Sequence, residues 1–401
     1  MMSINKNILF EVSKKHGLPV YVYDKGKIIS QFSRLKDAFK NIDNLHINYA
    51  AKALSNINIL KVIKEIGCGI DAVSIQEVEL ALFAGFKANQ IFYTPSGVEI
   101  NEIKKAFKFG VQVNIDNISA LKNIAENLSN IKVGIRINPN VKAGGNLKIS
   151  VGDSESKFGL NSCEIEKAKK IISKKNISVN GLHIHTGSDI EDINSFLKAC
   201  DFVFEQAGGF KDLEFLDFGS GFKVKYFEND SETDIKKLGK KLGDKFAEFN
   251  SNRKNKIRMH IEPGKFLVSE CGYFLTKVNY VNHRINKNFI HVNSGLNHFL
   301  RPMFYGSKHS IENISSNSNE IKNYSVVGYI CETDTFSEKV NLKKTNEGDI
   351  LCFKNAGAYC FSMSSNYNSR FRPPEVLVSN NEIKLIRKRE SFKDLIRNQS
   401  V

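Results

Sequence analysis

Lys52 lies among small or apolar neighbours, Tyr49, Ala50, Ala51, Ala53 and Leu54. A lysine desolvated in such a setting has a lowered pKa and can attack an aldehyde; a surface lysine capping the next helix is the alternative. His185 has a flat ring that could stack on an aromatic cofactor, or could simply be a satisfied core histidine. Gly219-Ser220-Gly221 can turn several backbone N–H groups onto one anion, because glycine permits close approach. Gly187-Ser188 could add a hydroxyl and an amide, although two ordinary turns would look the same. Glu262, just before Pro263-Gly264, could pair with a protonated ring nitrogen or form a salt bridge inside the fold.

These residues need elements to hold them. From about residue 45 the chain alternates short apolar runs with longer stretches at helical spacing. The runs are His46–Ala51, Gly69–Val73, Ile91–Thr94, Val111–Ile115, Lys132–Asn138, Gly181–His185, Glu214–Phe218 and Ile257–Ile261. Ser74 and Glu77 form a capping-box signature ahead of the apolar stripe Val78, Leu82, Phe83. Asn117 can cap a helix with Ile118, Leu121 and Ile124 on one face. Eight strands, each followed by a helix, predict a closed (β/α)8 TIM barrel, in which catalytic groups sit at the C-terminal strand ends. An open doubly wound sheet is the rival, but it usually carries a Gly-rich loop after its first strand, where this chain has Ala51-Lys52-Ala53. The barrel places Lys52, Asp71, His185, Gly219-Ser220-Gly221 and Glu262 at strand ends. A Schiff-base lysine, a stacking ring, a phosphate cradle and a carboxylate for a ring nitrogen are together what pyridoxal 5′-phosphate (PLP) requires.

After Glu262 the rhythm changes. Cys271–His283, Phe289–Val292, Tyr324–Cys331, Asp349–Phe353 and Glu375–Val378 read as strands separated by Asn-, Ser- and Gly-rich connections. Val376–Val378 and Ile383–Ile386 flank a Ser379-Asn380-Asn381 turn, a hairpin signal. The expected organisation is an N-terminal segment, 1–27, whose strand Val20–Tyr23 joins a C-terminal, mostly-β domain of sandwich or barrel type at 267–401, with the PLP-binding (β/α)8 barrel at 28–266.

The length, 401 residues, suits two to four domains at ~100–200 residues each. A 41% hydrophobic and 25% charged composition is that of a globular chain, not a disordered one. The net charge of +15 favours anionic ligands. Its lysines are scattered over helix-like stretches, with no basic tail or aromatic-interleaved stripe, so nucleic-acid binding is not expected. No uncharged apolar run of ~18 residues or N-terminal apolar run of ~7–15 residues is present, so neither a membrane span nor a secretory signal is expected. Seven widely spaced cysteines fit neither a metal site nor a disulfide framework, which makes a reducing cytoplasm the default and leaves no metal implied.

The motifs, taken in order, carry a resemblance. They are Tyr49-Ala50-Ala51-Lys52-Ala53, Gly69-Ile70-Asp71-Ala72-Val73-Ser74, Lys157-Phe158-Gly159, His183-Ile184-His185-Thr186-Gly187-Ser188, Leu216-Asp217-Phe218-Gly219-Ser220-Gly221 and Glu262-Pro263-Gly264. Leu300-Arg301-Pro302-Met303-Phe304-Tyr305, Cys331-Glu332-Thr333 and Gly357-Ala358-Tyr359 continue them. Nearly the whole chain resembles the fold-type III, alanine-racemase-like PLP-dependent decarboxylases, and within them the branch acting on diaminopimelate. The resemblance implies decarboxylation of meso-2,6-diaminopimelate to L-lysine and CO2, the last step of lysine biosynthesis, in a homodimer with shared active sites. It implies that Lys52 forms the Schiff base, that Glu262 meets the pyridine nitrogen and that His185 stacks on the ring, with Asp71 also at the cofactor. Ser188, Gly219, Ser220 and Gly221 would hold the phosphate, reached by Tyr359. Lys265, Arg301, Tyr305, Glu332 and Tyr359 would contact substrate, and Cys331 would be a proton donor supplied, with Glu332, by the partner subunit.

The residues agree with that chemistry. Arg301 can grip a carboxylate bidentately, and Glu332 suits an ammonium, so the pair matches a substrate whose far end is an α-amino acid. An unperturbed thiol, with a pKa of ~8.5, is mostly protonated at neutral pH and can serve as an acid. This chain departs from the family in having Lys265 where Arg often follows Glu-Pro-Gly, Ser220 for the middle glycine, and Thr333-Asp334 for Ser-Gly-Asp. A sister decarboxylase acting on ornithine, arginine or carboxynorspermidine would not need Arg301. A non-catalytic regulatory homologue would have lost Lys52 or Cys331, and a racemase has no use for the Cys331-Glu332 pair.

Overall fold

The computed structural model describes residues 3–141, 152–153, 155–251 and 253–400. The chain divides into two compact units, one of residues 31–224 and 231–266, the other of the residues up to 30, 225–230 and from 267 onward. Strand β1, Val20–Asp24, belongs to the second unit.

The first unit is the expected barrel. Strands β2 (Leu45–Ala50), β3 (Gly69–Ala72), β4 (Ile91–Tyr93), β5 (Gln112–Ile115), β6 (Ile131–Arg136), β7 (Ile177–His183), β8 (Phe215–Asp217) and β9 (Arg258–Ile261) close on themselves. All neighbours are parallel, and β2 pairs with β9 through His46 and His260. Strand β7 begins and ends earlier than its apolar run suggests, so His185 lies two residues past the strand end. Ser74 caps its helix by accepting from the Glu77 N–H, but Glu77 reaches back to Val73 rather than to Ser74. The buried stripe of that helix is Ile75, Val78 and Ala81, which turns Phe83 outward at 75% exposure, against the expected stripe. Asn117 caps its helix as expected.

The barrel interior is filled by rings. Phe92 stacks edge-on against Phe215 at 5.0 Å between centroids, and His260 lies 4.6 Å from Phe92 and 5.3 Å from Phe215. Space for Phe215 comes from Gly181, where an added Cβ would fall 2.0 Å from the Phe215 Cζ.

The second unit is a nine-stranded sheet. Its further strands are β10 (Gly272–His283), β11 (Asn288–Val292), β12 (Ile311–Asn313), β13 (Ile321–Val327), β14 (Thr335–Lys343), β15 (Ile350–Phe353), β16 (Glu375–Ser379) and β17 (Glu382–Arg387). Strand β1 lies between β10, antiparallel to it, and β16, parallel to it. Its Val20 and Val22 pack with Leu9, Val12, Leu275, Cys352 and Val376 in one apolar cluster. The hairpin β16–β17 turns on Asn380 and Asn381, both in the left-handed region, as a two-residue primed turn requires. Strand β13 stops at Val327, short of the expected Cys331, which lies in the irregular segment beyond it. Strands β12 and β14 were not expected from the sequence; one has three residues, and the other has a register shift in its pairing with β13 around Lys339, at φ 52°. All seven cysteines are free. Among the described residues no helix is long and apolar enough to cross a membrane.

Gly181→Ala should overpack the barrel against Phe215 and cost about 1–3 kcal/mol. The urea midpoint should fall without a change in slope. An unchanged midpoint would mean that Phe215 moves aside freely.

Candidate active site at the barrel mouth

Lys52 follows β2 in a short 3-10 turn, with its Nζ 3.5 Å from Asp71 Oδ2 on β3. The lysine side chain is 35% exposed, whereas Asp71 is buried. Burial, and next the nearby Glu262 charge, push Asp71 up to about 7 against the pull of Lys52. Glu262 follows β9 directly, and its Oε2 meets His183 Nε2 at 3.1 Å. Burial works against its ionisation, but His183 and Lys52 outweigh that and hold it down at about 2. Asp217, at the end of β8, is pushed well above the usual carboxylate range by burial and by Glu262. The donor atoms of His183, Asp217 and Glu262 lie within 4.8 Å of one another. Burial, then the charges of Lys52 and Arg136, push His185 well below the usual imidazole range, so its ring is neutral.

The loops beside this cluster are built for close approach. Gly219 and Gly221 have φ of 60° and 102°. A Cβ at Gly219 would stand 2.6 Å from the Ile184 carbonyl oxygen, and one at Gly221 would stand 2.2 Å from that of Gly187. Glu262 donates its N–H to the Gly219 carbonyl at 2.8 Å. The Ser220 hydroxyl donates to the Glu262 carbonyl at 2.6 Å, so that hydroxyl hydrogen is spent within the protein. Ser188 is half-buried beside Gly187. Lys265 is buried, with its Nζ 2.7 and 2.8 Å from the two carboxylate oxygens of Asp189.

The second unit holds the other expected residues in two groups. Arg301 is buried, its Nη2 3.4 Å from the Tyr226 hydroxyl and 3.3 Å from Ser307 Oγ. Its guanidinium lies 5.6 Å from the Tyr305 ring centroid and 5.9 Å from that of Tyr359. Tyr359 is held at φ 58°. Cys331 and Glu332 are exposed; Asn368 Nδ2 donates to the Cys331 Sγ at 3.3 Å, and the Tyr367 hydroxyl donates to Glu332.

Three residues of the mouth were missed from sequence. His183 holds Glu262; it lies in a motif that was read for His185, Gly187 and Ser188, and no local signal marks a contact to a residue beyond another strand. Arg136 ends β6 almost fully buried, its guanidinium 4.5 Å from the Phe158 ring, and it faces the Glu262, Asp116 and Asp71 charges. Asp217 lies inside a motif that was read only for its glycines.

The family profile described as "Pyridoxal-dependent decarboxylase, pyridoxal binding domain" matches residues 25–269. The chain belongs to the pyridoxal-dependent decarboxylases. Among its relatives in this family, the diaminopimelate decarboxylase of Methanothermobacter thermautotrophicus is 36% identical, covering 98% of this chain and 94% of the relative. That of Helicobacter pylori is 37% identical, covering 96% of each. A crystal structure of the H. pylori enzyme complexed with L-lysine superposes with a TM-score of 0.88 at 35% identity, covering 97% of this chain and 98% of the other. A lysine/ornithine decarboxylase from Vibrio vulnificus, at 21% identity and a TM-score of 0.81, shares the fold.

The mouth fits the family's cofactor. Glu262 is buried and ionised, which suits a protonated ring nitrogen, and the buried His185 Nδ1 has no hydrogen-bond partner among the described residues, which leaves a polar atom for an arriving group. The half-exposed Lys52 can be reached by an aldehyde, and no Cβ narrows the 219 and 221 positions.

The Asp71 shift has a consequence for the cofactor-free protein. Its folded pKa, about 7, is raised above the unfolded ~3.9, so the native state keeps the proton longer. Stability is then lost as pH rises from about 4 through about 7. Asp71→Asn should remove that loss, leaving the apo variant more stable than the parent at pH 8, by on the order of 1–4 kcal/mol, and little changed at pH 4. Urea melts at the two pH values check this; an Asn variant less stable at pH 8 would refute it.

Proposed function

We propose that this chain decarboxylates meso-2,6-diaminopimelate to L-lysine and CO2, the closing step of lysine biosynthesis. The reading is carried by the likeness to diaminopimelate decarboxylases, which runs through both units at 36–37% identity. The barrel, 28–266, would be the cofactor-binding domain, and 267–401 with 1–27 the β domain. The enzyme would work as a homodimer in the cytoplasm.

Bound at the mouth, PLP supplies an electron sink for the pair left on Cα when CO2 departs. The protein's part is to hold and protonate. Lys52 Nζ would be the covalent anchor, kept beside Asp71. Glu262, ionised although buried, would favour a proton on the ring nitrogen, which is what makes the sink effective. The neutral His185 ring would cover one face without adding charge. Ser188, Gly219, Ser220 and Gly221 would carry the phosphate, Ser220 through its backbone N–H, together with Tyr359. Arg301, Tyr305 and Glu332 would bind the distal amino-acid end of the substrate, with Lys265 and Tyr359 as further substrate contacts. The Cys331 Sγ–H, from the partner subunit together with Glu332, would return a proton to Cα.

Purified protein with PLP should release CO2 from meso-diaminopimelate far faster than from L-ornithine. Arg301→Ala should lower kcat/KM for diaminopimelate roughly 10²–10³-fold, as loss of a buried charged partner does. Cofactor absorbance and any ornithine turnover should change much less. Equal losses on both substrates would remove the case for a distal carboxylate.

Mixing inactive Lys52→Ala chains with inactive Cys331→Ala chains should restore activity if the site is shared. Random exchange should recover about a quarter of wild-type activity, since half the dimers then carry one intact site of two. No recovery despite proven exchange would mean that both residues act in one chain.

A further inference from the structure

Lys265 presents an unusual arrangement for a residue read as a substrate contact. Its side chain is only 7% exposed, and two of its three N–H donors are engaged by Asp189 at 2.7 and 2.8 Å. Among the described residues no other group accepts from its ammonium. Asp189 is itself held for this task. It sits at φ 60°, a left-handed conformation that aspartate and asparagine tolerate better than most residues. The next residue, Ile190, is tied down on both sides: its N–H donates to the Gly221 carbonyl at 2.9 Å, and its own carbonyl accepts from the Thr233 hydroxyl. The carboxylate is therefore fixed on the ammonium by the same loops that form the glycine cradle. It keeps 27% exposure, so an arriving ligand can meet it.

A lysine paired in this way offers one oriented N–H but little net charge. A ligand carboxylate approaching it meets the negative charge of Asp189 beside the donor. We propose that Asp189 is a positioning residue that acts as an internal counter-ion of Lys265, lowering the affinity of the subsite for the carboxylate of an α-amino acid. The inference rests on the reading of Lys265 as a substrate contact. Its functional consequence concerns release: L-lysine keeps the carboxylate that this subsite would grip, and a full buried cation would hold the product.

The test is titration of PLP-loaded enzyme with L-lysine and with cadaverine, which has the same chain and two amines but no carboxylate. Asp189→Asn keeps the left-handed backbone and one acceptor while removing the charge. It should tighten L-lysine binding by about tenfold, lower KM for diaminopimelate in the same direction, and shift cadaverine less than about twofold. Lys265→Met should weaken L-lysine, and the double variant should behave like Lys265→Met, because the counter-ion matters only through the cation. Asp189→Gly, which also accepts the left-handed φ, should follow Asp189→Asn and guards against an effect peculiar to the amide. Weaker or unchanged L-lysine binding in both Asp189 variants, or equal shifts with cadaverine, would overturn the proposal. Failure of the wild-type enzyme to release CO2 from diaminopimelate would instead overturn the substrate reading, which the titration does not depend on.

Discussion

One buried ionised carboxylate, Glu262, governs the architecture of the barrel mouth. An unpaired charge at that depth would be prohibitive. It is tolerated because His183 bonds one oxygen and because Lys52 and Arg136 supply positive charge around it. The neighbouring carboxyls respond in the opposite sense: Asp71 and Asp217 hold their protons more tightly because they are buried and, next, because the Glu262 charge stands beside them. Titratable groups pushed apart in this way mark a site where acid, base and electrostatic roles have been separated.

The same residue ties the mouth together mechanically. Its main-chain N–H bonds Gly219, and its carbonyl accepts the Ser220 hydroxyl, so the cradle loop and the carboxylate form one piece. Serine in place of a middle glycine restricts the turn but adds this anchor, while the flanking glycines keep the positive φ values. The hydroxyl thus stiffens the cradle instead of being a free ligand. Lys265, three residues on, is fixed from the opposite loop by Asp189, so both loops that flank the cradle are pinned by polar contacts to β9 or to the helix following it.

The second unit uses packing more than charge. Arg301 is buried between aromatic rings and hydroxyls, which keeps its planar group oriented. Cys331 and Glu332 lie exposed in a segment between strands, and their contacts run to Tyr367 and Asn368.

Sequence by itself determined the parts whose causes are local. Eight apolar runs at regular spacing specified the barrel, because each strand must be buried on both faces. The glycines at 219 and 221, the Asn380-Asn381 turn and the caps at Ser74 and Asn117 were legible because each answers a need of the neighbouring backbone. The strand-end rule then drew out Lys52, Asp71, His185 and Glu262. Only tertiary structure could decide how those groups are charged, since ionisation depends on burial and on partners distant in the chain. His183 beside Glu262, Arg136 facing several carboxylates and Asp189 on Lys265 are contacts across separate strands and loops, and nothing in the spacing of the residues specifies them. Phe83 was misplaced for the same reason: it lies just off the stripe that its helix buries, and which side chains a helix buries depends on packing that the linear pattern does not contain.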